Sequence, residues 1–468
     1  MKLIATSIAV ALGIVCLIAF SRGGTTQPQD SVVLKDDGKI QAPAEPAPNI
    51  VIAPKPDENP KHVEVEKLAV QSNQRDWSKE PVGEVVEKGT QWLVSVQGAD
   101  GGWGQDGGET SFVRSGERLE SQGNDVANTA VSTLALMRAG HTPTKGKYKE
   151  NVNRAIGFVL GRIEESSAEG LELKTPSDTQ IQRKLGRYID TFMASMLLAE
   201  VDGNMGDVKA DARVRQALKK VIAKIEKNQG KDGSWNSPDA WAPILSTSYC
   251  SRSLDVAQRK GVAVNKETLD KVQNWTIQNA TSSFATGAIA AEEPALAEKV
   301  AAAKPATVPA DAARISKALK ETDPKAKAEY FARRETTGSA GVKLYEYGQT
   351  VEQLSRTPED IKANELTIKA MTKELGKDET IRGFGSMGGE EFFSYLNTSD
   401  SLRRVGGEPW DKWNAKIKAH INGLQNKDGT WAGQHCITGR VACTGAAMLT
   451  VLAERAPSTT AKSEVSTK

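Results

Sequence analysis

The sequence predicts an all-α protein, an α/α toroid of six inner and six outer helices, behind an N-terminal export signal or anchor and a disordered linker. Three observations predict it. The spacing Gln-x3-Gly-x-Trp occurs three times, from Gln97 to Trp103, Gln229 to Trp235 and Gln425 to Trp431, each time at the end of a helix-like run. Six runs with apolar residues at i, i+3, i+4 and i+7 are small or apolar on much of their surface. Each of the six follows a more charged amphipathic run.

From the N-terminus, one Lys precedes an apolar run from Leu3 to Phe20, and Ser21-Arg22-Gly23-Gly24 follows, which is the layout of an export signal. Residues 1–24 are therefore a signal peptide, with Ala19 and Ser21 as the small residues before the cut, or a membrane anchor, since 18 residues just suffice to cross a bilayer. Residues 25–78 read as a Pro-rich disordered linker: seven of the nineteen prolines lie between Thr25 and Gln74, among polar and acidic residues. Residues 79–456 are the toroid and 457–468 a disordered tail. The protein is expected to be exported to the periplasm or cell envelope.

Within the toroid the expected outer helices are Gly83 to Val96, Asn151 to Ile163, Asp211 to Asn228, Lys266 to Gln278, Pro358 to Leu375 and Asp411 to Leu424. Their inner partners are Asp125 to Ala139, Tyr188 to Glu200, Leu245 to Ala257, Ala340 to Gln353, Glu390 to Arg404 and Val441 to Arg455. Inner helices of 15 residues are about 22 Å long, enough to line a deep central cavity. Residues 281–339, rich in Ala, Lys and Glu and divided by Pro294, Pro305, Pro309 and Pro324, interrupt the alternation as a helical insertion. It reads as a solvated arm or as a lid or docking element.

The repeated spacing has a mechanical logic. Gln satisfies orphan backbone groups at a helix end, Gly allows a turn with φ > 0, and Trp covers the Gln and fills the gap to the next repeat. The unit, written out once as Lys88-Gly89-x2-Trp92-Leu93-x3-Gln97-x3-Gly101-x-Trp103, resembles the QW repeat of squalene and hopene cyclases, shared in looser form by protein prenyltransferase β subunits. The resemblance to this terpenoid cyclase and protein prenyltransferase superfamily covers roughly Pro81 to Ala456, without the insertion.

That resemblance implies chemistry at the starts of the inner helices, where helix dipoles favour anions. A cyclase would carry an Asp-x-Asp-Asp acid there. This chain has none, and Asp190, in Tyr188-Ile189-Asp190-Thr191, matches only the last Asp of the motif. Aromatic residues at 5% also give little of the lining that stabilises carbocations, so squalene-type cyclisation is not expected. Asp190 reads as the candidate acid or as a helix cap.

A prenyltransferase would hold zinc between an Asp, a Cys and a His. By position Cys250 matches the zinc Cys and Cys443 the zinc His, while Ser248 stands where the Asp belongs. His435 and Cys436, in the loop before the last inner helix, complete a candidate set that is also similar to the zinc set of lanthionine cyclases. Two Cys, one His and an open position would make a catalytic zinc site. The alternatives are a Cys436–Cys443 disulfide, worth about 2.5 kcal/mol by loop entropy, with Cys250 as a small core residue, or free thiols throughout. Glu390 and Glu391 open the fifth inner helix and suit its dipole, or serve as a general acid or cation site.

Net charge is +2, which gives no sign of a nucleic-acid partner. The expected function is binding of an apolar small molecule, lipid, peptide or partner at the cell envelope. The alternative is a metal-dependent enzyme acting on an isoprenoid or other apolar substrate.

Overall fold

Spacing of apolar residues sets which helix faces are buried. The computed structural model describes residues 80–106, 123–235, 243–284, 339–383, 388–434 and 436–456, all within one compact unit, Val70–Lys468. Its first helices are α1 (Glu84–Ser95), α2 (Val126–Arg138), α3 (Lys149–Glu164), α4 (Gln180–Leu185), α5 (Ile189–Val201), α6 (Val208–Lys227), α7 (Pro243–Arg259) and α8 (Lys266–Phe284). They are followed by α9 (Ser339–Leu354), α10 (Pro358–Ala363), α11 (Glu365–Leu375), α12 (Asp378–Ile381), α13 (Gly389–Val405), α14 (Gly407–Gly423) and α15 (Arg440–Val451). A 3-10 turn, Ala453–Arg455, ends the described chain.

The two expected classes of helix are present. In α6, Val214, Leu218, Val221, Ile222 and Ile225 form one buried stripe under a charged outer face. In α5 every residue is buried, including Asp190, Ser195 and Glu200. Helices α2, α5, α7, α9, α13 and α15 are the apolar class. Among them α2 packs on α5, α5 on α7, α7 on α9, α9 on α13, α13 on α15, and α15 on α2.

The three Gln-x3-Gly-x-Trp units share one construction. Each Gln donates from Nε2 to the carbonyl four residues on: Gln97 to Gly101 at 2.8 Å, Gln229 to Gly233 at 2.9 Å and Gln425 to Gly429 at 3.0 Å. The same nitrogen also reaches a charged helix of the next pair, at Asn151 O (3.0 Å), Thr268 O (2.9 Å) and Val85 O (2.8 Å). Each Trp donates its indole N–H at 2.8 Å to the helix it follows, at Leu93, Ile225 and Ile421. The glycines have φ of +89°, +95° and +87°, and a Cβ on Gly101 would lie 2.6 Å from Arg154 O, so only glycine fits the corner. The third unit joins α14 to α1, the first helix of the body.

Some boundaries moved. The run Pro358 to Leu375 is two helices, because the Asn364 amide bonds Asp360 O at 2.8 Å and competes with the backbone. Asp207 caps α6 by accepting from Ala210 N at 2.8 Å, which starts that helix before Asp211. The insertion's first residues extend α8 to Phe284, and 285–338 lie outside the described residues, as do the segment 1–24, the linker 25–78 and the tail 457–468. No helix among the described residues is long and apolar enough to cross a membrane.

Candidate functional site

Asp190 lies at the start of α5, and its surroundings define a structural bond. Its Oδ1 accepts from Ala127 N in α2 at 2.9 Å and its Oδ2 from Gln182 Nε2 at 2.6 Å. It thus satisfies an orphan N–H at the start of a neighbouring helix, the capping option read across space instead of along the chain. Asp125, at the N-cap of α2, accepts from Asn128 N at 2.8 Å and Asn128 Nδ2 at 2.7 Å. Burial, then the Asp190 charge, raises the Asp125 carboxyl to about 8, and burial raises Asp190 as well. A carboxyl whose folded pKa exceeds its unfolded value of about 3.9 stabilises the fold fully below that value and loses the contribution as pH rises through its folded pKa. Stability is therefore expected to fall from pH ~4 towards ~8, and Asp190→Asn to flatten that slope in urea melts at several pH values.

Glu390 and Glu391, in the first turn of α13, are both fully buried. The loop before α15 crosses them: a Cβ on either Gly389 or Gly433 would collide with Ile437 O. This crossing seats Cys436, at φ +60°, half-buried beside the two acids. Burial, then the hydrogen bond from the thiol to the Glu390 carboxylate, pushes the Cys436 thiol up to about 12. Tyr345 faces the same acids, and burial, then the Glu391 and Glu390 charges, raises its phenol. Tyr395 donates its hydroxyl to Ile381 O at 2.5 Å.

The cysteine set is divided. Cys250 is buried in α7, where burial and then Glu352 push its thiol well up. Cys443 is buried in α15 with Sγ 3.5 Å from Ile437 O. None of Cys250, Cys436 and Cys443 is in a disulfide, so the expected Cys436–Cys443 bridge is not what the structure has. His435 lies outside the described residues. Among the described residues no three His, Cys, Asp or Glu side chains are grouped to hold a metal, so Cys250, Cys436 and Cys443 do not by themselves assemble a zinc site.

Sequence reading missed the charged set deeper along the apolar helices. Arg138 of α2 pairs with Glu200 of α5 at 2.7 Å and reaches Asp400 of α13 at 3.6 Å. Asp400 also pairs with Arg252 of α7, and Arg404 of α13 with Asp255 of α7 at 3.1 Å. Glu352 of α9 accepts from Ser248 Oγ at 2.6 Å and Ser251 Oγ at 3.1 Å, and Asn397 Nδ2 donates to Ser248 Oγ at 2.7 Å. Burial, then the Arg138 charge, pulls Arg252 down to about 10, while burial raises Glu352. Where a deep central cavity was expected, α2, α5, α7, α9 and α13 join through charged and polar side chains. The signal was present as charges inside apolar runs, but nothing local tells which pairs with which.

A cavity of about 350 Å³ opens elsewhere, between Glu172, Tyr188, Asn228, Asp232 and Trp235. None of the expected acids or cysteines lines it. The chain matches no protein-family model, no curated protein and no solved structure.

Proposed function

We propose that this chain is an exported α/α toroid of the QW-repeat kind, tethered at the cell envelope by residues 3–20 and the linker 25–78, which binds a peptide or protein partner and does not cyclise a terpenoid. The toroid is supported by the order of neighbours among the apolar helices, which returns from α15 to α2, and by the Gln425 bond to Val85 O. One observation carries the choice of binding over cyclisation: the apolar helices meet through Arg138, Arg252, Asp255, Glu352, Asp400 and Arg404. An isoprenoid threaded among these groups would strip them of hydrogen bonds and ion pairs, at a cost of several kcal/mol per charge. A lipid or other apolar ligand would have to be held away from them.

The candidate acid is engaged as well, since Asp190 caps α2. The test is product analysis after incubating the full chain, in stoichiometric amount, with squalene and separately with a prenyl diphosphate and a thiol peptide. No product is expected from either. A cyclised or prenylated product that disappears in Asp190→Asn or Cys250→Ala, with the fold intact, would establish the metal-dependent enzyme instead.

A further inference from the structure

The connection from Glu165 to Thr179, between α3 and α4, has no helix of its own. One this long is uncommon in a compact domain unless it forms a lid or a binding loop. Its base is closed: Leu171 O accepts from the Thr191 hydroxyl in α5, and Glu172 pairs with Arg187, just past α4, at 3.6 Å. Residues 173–186 are thus a loop with its ends together and α4 at its far side.

That loop crosses the starts of three apolar helices. Thr175 Oγ1 accepts from Val126 N at 3.2 Å at the start of α2, and Gln182 Nε2 donates to Asp190 Oδ2 at 2.6 Å at the start of α5. Gln180 reaches furthest. Its Oε1 accepts from Thr438 N at 3.0 Å and Gly439 N at 3.2 Å, and its Nε2 donates to Thr438 Oγ1 at 2.9 Å, immediately before α15. Its own N–H donates to Gln105 Oε1 at 3.2 Å. Ile181 and Leu185 are buried, and α4 packs on α7.

Both ends of α4 have the backbone of a joint. Asp178 has φ +63° and Gly186 φ +109°, a region that glycine and short polar residues adopt more readily than others. The cavity of about 350 Å³ lies against the base of the loop, at Gly170, Glu172 and Tyr188, so there is open space beside it.

We propose that residues 173–186 are a strap, latched by Gln180 across the starts of α2, α5 and α15, which opens as a unit without unfolding the body. Closed, it occupies backbone N–H groups at helix starts that would otherwise receive an acceptor group. Open, it uncovers Asp190 and the N–H groups of Thr438 and Gly439. This inference goes beyond the proposed partner binding and does not depend on it, because latch and opening are properties of the free chain.

The experiment is native-state hydrogen exchange of the full chain in low, rising urea, resolved to single amides by fragmentation mass spectrometry. The amides of Arg183 and Gly186 bond Thr179 O and Gln182 O within the strap, each at 2.9 Å, while Val126 bonds the strap from α2. These three are expected to share one protection factor, lower than that of α5 and nearly independent of urea, as a local opening exposes little surface. Gln180→Ala is expected to lower all three together about tenfold or more and to leave α5 unchanged. The proposal is overturned if the three are protected as strongly as α5, or if Val126 follows α5 while Arg183 and Gly186 exchange faster, which is fraying of α4 alone. Both of these are read on the parent chain, so they decide even if Gln180→Ala does not fold. It is equally overturned if Gln180→Ala leaves the three unchanged or lowers α5 by the same factor.

Discussion

Trp431→Ala is expected to lower the stability of the body by about 3–5 kcal/mol, the range for removing a fully buried aromatic side chain. Trp431 is fully buried, its indole N–H donates to Ile421 O at 2.8 Å, and its backbone N–H donates to Thr444 Oγ1 at 3.1 Å. Its ring also comes within 3.2 Å of where a Cβ on Gly89 would lie. The side chain therefore joins α14 and α1, and the backbone N–H ties the residue to α15. Trp431→Phe should keep most of the apolar contact and lose mainly the bond to Ile421, at about 1–2 kcal/mol. Urea unfolding followed by far-UV circular dichroism checks both values without relying on tryptophan fluorescence. A cost for Trp431→Ala below that of Trp431→Phe would mean that the ring does not join these helices.

Asp400→Ala has the second large expected effect, about 3–5 kcal/mol, because it leaves buried charge without its counterpart. Arg138 would retain Glu200, while Arg252 would lose the carboxylate that neutralises it. The loss should be nearly independent of added salt, since buried pairs are screened far less than exposed ones. Replacing Asp400 and Arg252 together by leucine should cost less than Asp400→Ala alone, because no stranded charge remains. Denaturation of Asp400→Leu, Arg252→Leu and the double leucine variant gives the coupling directly. Additive losses would show that Asp400 and Arg252 do not interact.

Both effects bear on how much of the molecule was legible in its sequence. The corner units were legible because their chemistry is local: Gln, Gly and Trp act within seven residues, and all three copies adopt the same bonds. One member went unread. Asp100, Asp232 and Asp428 stand three residues after each Gln and accept the N–H of Gly102, Ser234 and Thr430 at 3.0–3.1 Å, a turn whose signal was the repeated Asp-Gly. Helix classes were legible from periodicity. Helices α4 and α12 were not, because four to six residues are too few for a period to register.

The candidate site was legible only in part. Glu390 and Glu391 could be placed at a helix start, but the approach of Cys436 depends on a loop crossing that only Gly389 and Gly433 permit. Asp190 was legible as a cap, although its N–H partner in α2 lies 63 residues earlier. The charged set spanning Arg138, Arg252 and Asp400 was not legible, since pairing between distant helices leaves no trace in local order.

In the proposed toroid the third corner unit closes the body on its first helix through the Gln425 bond to Val85 O. Amine-reactive cross-linking of the monomeric full chain, read by peptide mass spectrometry, tests it most directly. Gly429 packs against Lys88, as Gly233 packs against Lys271, so Lys88–Lys427 links are expected in yields similar to Lys231–Lys271 links. Abundant Lys231–Lys271 links without Lys88–Lys427 links would contradict the closed ring and leave an open array of helix pairs.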